Sequence, residues 1–161
     1  MRHTHSDIVN LHETIANLHV DIKGFYRFNF NEITSNLRSG VEAPVLLLES
    51  HSSELESLTK MVSNFNSRNI SFVLLDFGGK QGEYDRQNEV LDSLENIVLD
   101  IISYLVRENK NTESWLFGMF DINTVKIEKV GPIFDNMFGW NVLYSLKSHE
   151  SMQFDSRKWK Q

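Results

Sequence analysis

The sequence contains no cysteine, and this absence removes several kinds of site at once. Disulfide bonds, thiolate metal ligands and cysteine nucleophiles are all excluded. Long apolar segments are also missing, since the longest apolar run is four residues, whereas a membrane-spanning helix needs roughly 20. The N-terminal residues MRHTHSDIVNLHE lack the apolar centre of a signal peptide. These features predict a soluble protein that is made and kept in the cytoplasm, with no membrane partner.

Basic residues are few as well, with 16 Lys and Arg against 22 Asp and Glu and a net charge of -6. The tightest basic cluster is Arg157, Lys158 and Lys160, near the end of the chain. Because binding to a nucleic-acid duplex requires a basic stripe that neutralises phosphates, we expect no direct nucleic-acid binding.

Aromatic residues, in contrast, are well represented, with 11 Phe, 4 Tyr and 3 Trp in 161 residues. A chain of this length buries one ordinary hydrophobic core. Aromatic side chains suit such a core and protein interfaces better than a solvated catalytic cleft. No linker or internal repeat divides the sequence, so residues 1–161 are interpreted as a single domain. Residues 1–5 and 148–161 are expected to be flexible or docking ends.

Two segments have the apolar periodicity of α-helices. The first, residues 6–23, carries a single helical stripe of Ile8, Leu11, Ile15, Leu18 and Ile22. Gly24 is expected to stop this helix. The second, residues 85–107, begins with acidic residues and ends with basic ones, the order that a helix macrodipole favours.

The apolar side chains of the second helix cover an arc of roughly 220° at about 100° per residue. An arc of roughly 100° is enough for a helix that lies on one sheet. This helix is therefore expected to contact two surfaces, the sheet and either the first helix or a neighbouring subunit. Leu99, Ile102 and Val106 are the candidate subunit interface.

The other apolar segments have the composition of β-strands. They are a run from about residue 45, ISFVLLDF at 70–77, and TVKIEKVGPI and GWNVLYSLK, which form an antiparallel hairpin. FYRFNFNEI, after Gly24, is interpreted as an aromatic loop or a short strand. Residues 52–66 fit either a helix or an outer strand, and strand pairing is favoured. The sequence thus predicts an α+β fold in which two main helices pack on one face of a mostly antiparallel sheet of about four strands.

The hairpin connection FDNMFGW raises the question of whether Asp135 and Asn136 belong to a functional site. Asp and Asn tolerate left-handed backbone conformations and hydrogen-bond to their own main chain, as tight turns require. Gly139 then allows a close backbone approach or a bulge, and Trp140 turns its ring towards the core. We interpret these four residues as a structural turn.

Two short motifs are similar to nucleotide-binding sequences, but their surroundings do not fit. Asp76-Phe77-Gly78 spells the DFG of protein kinases, and GGKQG at residues 78–82 looks like a phosphate-binding loop. The kinase motif also needs a glycine-rich loop, a strand lysine and an HRD loop. A phosphate-binding loop needs Gly-Lys-Ser/Thr at the start of a helix. A strand that ends in a flexible glycine loop explains both motifs.

His5, His12 and His19 recur every seven residues along one flank of the first helix's stripe. Two helical turns separate neighbouring residues of this set by roughly 10 Å, which is too far for one metal ion. We interpret them as half-covered imidazoles at the boundary of a core or interface. A mild pH sensitivity of assembly is the open alternative.

No set of residues assembles into a nucleophile, a base and an orienting group. We therefore predict that the protein is not an enzyme, and we assign no catalytic, cofactor-binding or metal-binding residue. Two alternatives stay open: a cytoplasmic module that binds a small molecule between helix and sheet, and a hydrolase that uses loop carboxylates. The candidate carboxylates are Asp76, Glu83, Asp121 and Asp135.

The order of the elements carries a family resemblance. A helix is followed by APVLLLE, FVLLDF, a long helix beginning YDRQNEVLDSLENIVLDIISYL, the segment VKIEKVGPIFDNMFGWNVLYSL and a terminal FDSRKW. The most distinctive pieces are Asn88-Glu89 with Asp92, and Asp135-Asn136 with Gly139-Trp140. From about Ile8 to Trp159 the chain resembles small bacteriophage and prophage structural proteins of the tail-completion or tail-terminator kind.

This resemblance implies a non-enzymatic virion-assembly protein that forms a ring at the head–tail junction or the tail end. A ring subunit repeats one heterologous interface until the ring closes. The implied partners are copies of the protein itself and tail-tube or head–tail connector proteins. The implied locations are the cytoplasm during assembly and the virion afterwards. The resemblance implies no catalytic residues for this chain.

Overall fold

The computed structural model of the protein describes residues 3–27, 40–57, 64–150, 152 and 154–160. Within them lie two helices, six strands and one 3-10 turn. The helices are α1 (His5–Leu18) and α2 (Tyr84–Lys110), and the 3-10 turn is Ser156–Lys158. The strands are β1 (Gly24–Arg27), β2 (Val45–Leu48), β3 (Ser52–Ser57), β4 (Asn64–Phe77), β5 (Phe120–Ile133) and β6 (Met137–Glu150).

All six strands belong to one mixed sheet with the order β1-β2-β4-β6-β5, and β3 pairs with β4 outside this path. The two long strands β4 and β6 pair antiparallel from end to end, from Asn64 opposite Glu150 to Phe77 opposite Met137. The other edge of β4 is shared, because β2 pairs with its second half and β3 with its first half. Only β1 and β2 run parallel among the described pairs.

The predicted α+β class with two helices is confirmed, but the expected sheet of about four strands is too small. The additional strands are β1 and β3, and both are short. β1 has 4 residues, too few to show an alternating pattern. β3 has the polar sequence SSELES and lies exposed at the edge of β4, so it carries no apolar signal. The ambiguous segment 52–66 holds strand at both ends, while residues 58–63 lie outside the described part.

The first helix is shorter than the apolar pattern predicts. His19 has an extended backbone, with φ -78° and ψ 124°, and this conformation ends α1 at Leu18. The pattern continues beyond the helix because Ile22, in the following turn, is still buried at 7% exposure. Gly24 therefore begins β1 and does not stop the helix.

Both helices pack on the same face of the sheet, as the sequence predicts. One core cluster combines residues of α1, such as Ile8 and Ile15, with residues of α2, such as Leu94 and Val98. The sheet contributes alternate residues of β2, β4 and β6 to this cluster: Leu46, Leu48, Ile70, Phe72, Leu74, Val142, Tyr144 and Leu146. Within the described residues, neither helix is long and apolar enough to span a membrane.

The opposite face of the sheet is divided into an apolar and a polar half. At one end Val45, Leu47, Val73, Leu75 and Met137 form a second buried cluster. Farther along the same face, polar side chains of β4 and β6 bond across the strands on either side of the apolar Leu143. Ser71 donates its hydroxyl to Asn141 and Ser145 donates to Asn69, each at 2.8 Å.

Candidate assembly surface

An apolar strip runs along one side of α2, and we call Leu99, Ile102 and Val106 the outer flank. At about 100° per residue these three side chains lie within roughly 60° of one another around the helix. Leu99 is 49% exposed. Ile102 and Val106 are half-buried and pack on the edge of the main core. The candidate interface residues are therefore next to one another on the surface of this subunit.

The outer flank faces away from α1. Tyr104 and Glu108 line a cleft between α2 and α1 together with Thr14, and they lie on the opposite side of α2 from the flank. The α1 side is fixed further by a contact of 3.5 Å between His19 Nε2 and Asp100 Oδ2. The sheet and α1 thus cover most of the wide apolar arc of α2. The outer flank is the part of this arc that they leave uncovered.

The outermost strand of the sheet, β5, lies beyond α2 and is only partly covered by it. Val125 and Ile127 of β5 are half-buried on the same face as the helices and pack against the main core. Among the described strands β5 pairs with β6 alone. Its exposed Lys129 and its register shifts are typical of an edge protected against pairing with another strand. The helix flank, and not the strand edge, is therefore the better surface for contact with a partner.

The chain ends in an aromatic turn that stands apart from the core, and we call residues 154–160 the C-terminal hook. Phe154 and Trp159 stack with ring centroids 5.7 Å apart and remain 74% and 66% exposed. Between them, the 3-10 turn is held by Arg157, whose side chain donates to both carboxylate oxygens of Asp155 at 2.9 and 3.0 Å. This hydrogen bonding lowers the pKa of Asp155. Two rings and a tight turn thus form a compact, outward-facing group.

The hairpin tip makes a hydrogen-bonded tertiary contact that no sequence pattern indicates. Phe134 and Asn136 have positive φ values of 40° and 62°. The Asn136 side chain donates to the Gly79 carbonyl at 2.6 Å, and the Gly78 N–H donates to the Asn136 carbonyl at 3.0 Å. Asn136 thereby connects the hairpin to the glycine loop that leads into α2, whereas Asp135 lies exposed beside it.

The next two residues of the predicted turn fix the hairpin to its neighbours. A Cβ atom at Gly139 would collide with the carbonyl oxygen of Leu74 in β4, so the backbones approach closely here. The bulge considered for this position lies instead in β5, between Val130 and Ile133. Trp140 packs on the main core and donates its indole N–H to the Leu91 carbonyl of α2 at 2.9 Å.

The three histidines of the seven-residue repeat occupy three different environments. His12 is fully buried, which corrects the interpretation of all three as half-covered boundary residues. Its Nδ1–H donates to the Ile8 carbonyl at 2.7 Å, and the Tyr144 hydroxyl donates to its Nε2 at 3.0 Å. Burial lowers the pKa of His12 to about 4, so the ring is neutral. His19 lies outside the helix, at the C-cap.

His5 lies against a histidine that the repeat does not include. Its ring stacks on His51, with the two Nδ1 atoms 3.4 Å apart. Partial burial, His5 and the nearby Arg68 together lower the pKa of His51. In the described part of the chain no three His, Asp or Glu residues come together as a metal site would require.

The loop carboxylates considered for hydrolysis are engaged in local backbone contacts. Asp76 accepts from the N–H of Phe77 at 2.7 Å. Glu83 accepts from the N–H of Lys80 at 2.9 Å, and Asp121 accepts from Asn123 at 3.0 Å. These contacts shape the turns in which the three acids lie.

A buried ion pair lies at the end of the sheet where β4 begins and β6 ends, and no sequence pattern predicts it. Arg68 of β4 and Glu150 of β6 are 3.0 Å apart with side-chain exposures of 7% and 6%. The guanidinium also donates to the Ser148 hydroxyl at 2.8 Å and to the His3 carbonyl at 2.7 Å. This cluster fastens residues before α1 to the two central strands. Only the pairing register brings these charges together.

Two open depressions bear on the small-molecule alternative. One, of about 500 Å³, lies on the polar half of the sheet face opposite the helices and is lined by side chains such as Asn69, Ser71, Lys126 and Ser145. The other, of about 360 Å³, is the cleft between α1 and α2. Neither of them lies between a helix and the sheet, where that alternative places its ligand.

Comparison with protein-family models gives no match for this chain, and comparison with curated proteins gives none either.

Proposed function

We propose that the protein is a non-enzymatic virion-assembly protein of the phage tail-completion or tail-terminator kind. It acts by self-association into a ring and by contacts with tail-tube or head–tail connector proteins. On this proposal it resides in the cytoplasm during assembly and in the virion afterwards. The observation that carries the proposal is the outer flank of α2, the part of this helix's apolar arc that the sheet and α1 do not cover.

The outer flank has the character of an interface centre. Leu99, at one edge of the flank, is half exposed, while Ile102 and Val106 pack against the core and hold the strip in place. Apolar residues that lie together on a rigid element are favourable contact points, because binding removes them from water at little cost in side-chain entropy. The flank occupies one side of the subunit, as a heterologous ring contact requires.

Sedimentation over a range of concentrations, with electron microscopy of the same sample, tests the self-association. We expect closed rings for the unaltered chain. The double variant Leu99→Asp/Val106→Asp is expected to remain monomeric, because assembly would then bury two carboxylates without partners. Ser93→Asp/Asn96→Asp is the matched control, since it adds the same charge to exposed positions on the solvent side of α2.

Folding and assembly must be separated in this experiment, because Val106 also packs on the core. Leu99→Asp alone alters a half-exposed position, so its circular dichroism and melting temperature should stay close to those of the unaltered chain. An unaltered protein that stays monomeric at high concentration, and that also fails to form rings on tail-tube protein, contradicts the proposal. Neighbouring genes for portal, capsid and tail-tube proteins would support the phage assignment, and metabolic neighbours would count against it.

A further inference from the structure

We propose that the C-terminal hook of one copy binds to the outer flank of α2 on a second copy. This inference rests on the self-association in the proposed function and identifies the two surfaces that meet. It concerns a contact between unlike surfaces, so each copy both offers a hook and accepts one.

The hook has the composition of an anchor. Phe154 and Trp159 are large aromatic side chains that are mostly exposed and already stacked on each other. Aromatic residues of this kind dominate binding at protein interfaces. The Asp155–Arg157 pair favours one conformation of the intervening turn, which reduces the conformational freedom lost when the hook binds.

Charge favours the flank as the receiving surface. The Asp155–Arg157 pair neutralises itself, which leaves Lys158 and Lys160 as the free positive charges of the hook. The N-terminal part of the flank is bordered by exposed acids, Asp92 and Glu95. An aromatic and basic group therefore faces an apolar and acidic strip, which is the complementarity that specific interfaces use.

The same charges set the direction of the contact. Lys110 borders the C-terminal end of the flank, so like charges disfavour the hook lysines there. The rings are then placed on Leu99 and Ile102, with the lysines towards Glu95. Because the hook extends beyond the end of β6 and the flank lies along α2, repetition of the contact joins unlike surfaces and generates a closed ring or a filament.

Disulfide trapping is a clean test, because the chain has no cysteine of its own. Leu99→Cys and Trp159→Cys variants are purified separately, mixed and oxidised mildly. We expect the mixed disulfide at a level at least about tenfold above that of the control mixture, since a specific contact raises the effective concentration of the two thiols. The control mixture pairs Trp159→Cys with Glu13→Cys, which places the thiol on the exposed face of α1.

A second measurement distinguishes the contact from folding effects. Trp159→Ala is expected to weaken self-association about 30-fold, as truncation of an aromatic anchor does, while the melting temperature stays unchanged. Reversal of charge gives a rescue test: Lys158→Glu and Glu95→Lys should each weaken association, and the two proteins mixed together should associate again.

The possible results separate this inference from the proposed function. The hook contact is overturned if Trp159→Ala still forms rings and the mixture of Leu99→Cys and Trp159→Cys gives no disulfide above the control. The proposed ring is unaffected by that result. A specific disulfide in a protein that forms neither ring nor filament supports the contact and contradicts the proposed ring. A chain carrying both cysteines that closes its disulfide within one dilute monomer, with no mixed disulfide between copies, overturns the inference.

Discussion

His12 shows at the scale of one residue what burial does to an ionisable group. The ring is enclosed between α1 and the sheet, where it stays neutral and bonds to the Ile8 carbonyl and the Tyr144 hydroxyl. Burial also raises the pKa of Tyr144 far above its ordinary value. The sequence places His12 on the correct helix, but the spacing of three histidines cannot show that one of them points into the core.

The lowered pKa of His12 predicts a loss of stability in acid. The unfolded ring binds a proton below pH 6.5, whereas the folded ring stays neutral until about pH 4. Stability from this residue is therefore complete above pH 6.5 and is lost as the pH falls towards 4, where the loss levels off. A shift of this size corresponds to a loss of about 3 kcal/mol in the free energy of unfolding.

Urea unfolding across this pH range measures the effect. The matched variant is His12→Phe/Tyr144→Phe, which removes the imidazole and the hydroxyl together so that the buried Tyr144 hydroxyl is not left without its partner. Because all other carboxylates and histidines are unchanged, the difference between the two proteins isolates His12. A variant whose stability falls as steeply between pH 6.5 and 4 as that of the unaltered chain would contradict the assignment.

At the scale of the element, the hairpin tip depends on Asn136 more than on Asp135. Asn136 combines a positive φ of 62° with a side-chain hydrogen bond to the Gly79 carbonyl. Asn136→Ala should lower the free energy of unfolding by about 1–3 kcal/mol, because Ala tolerates this backbone poorly and leaves the carbonyl without its donor. Denaturant unfolding of the variant measures the loss.

Two further variants separate the contributions at this tip. Asn136→Gly keeps the backbone free to adopt positive φ, so it should recover the backbone part of the loss and not the hydrogen-bond part. Asp135→Ala, at the exposed neighbouring position, should change stability by less than about 0.5 kcal/mol. An Asp135→Ala loss as large as that of Asn136→Ala would show that both residues hold the turn.

The elements that the sequence predicts well are those with a long, regular apolar pattern. α2 and the β5–β6 hairpin fall in this class, and the structure contains them within a few residues of their predicted bounds. The sequence leaves β1 and β3 ambiguous, with a strand as one of the two interpretations for each, because a strand of four residues and a polar strand carry no periodicity. The place of Leu99 on the apolar arc of α2 follows from the helical periodicity. The Arg68–Glu150 pair depends on strand register, which no local pattern encodes.

At the scale of the whole molecule, the sheet and its helix-covered core form a rigid centre with two exposed features at its periphery. β4 and β6, paired over their full lengths, form the middle of that centre. The flank lies on one outer side of α2, and the hook lies past the end of β6. A ring in which the two meet would leave the core unchanged and would protect both features at the same time.

Hydrogen–deuterium exchange at low and high protein concentration tests this coupling. Peptides covering residues 95–106 and 152–160 should exchange more slowly at high concentration, and by a similar factor, because one contact covers both. A peptide covering residues 10–18 of α1, which lie outside the proposed contact, should not change and serves as the internal reference. Protection that arises only in β5 would point to pairing of strand edges as the contact between copies. Protection of the flank without the hook would retain the α2 surface and assign a different segment to it.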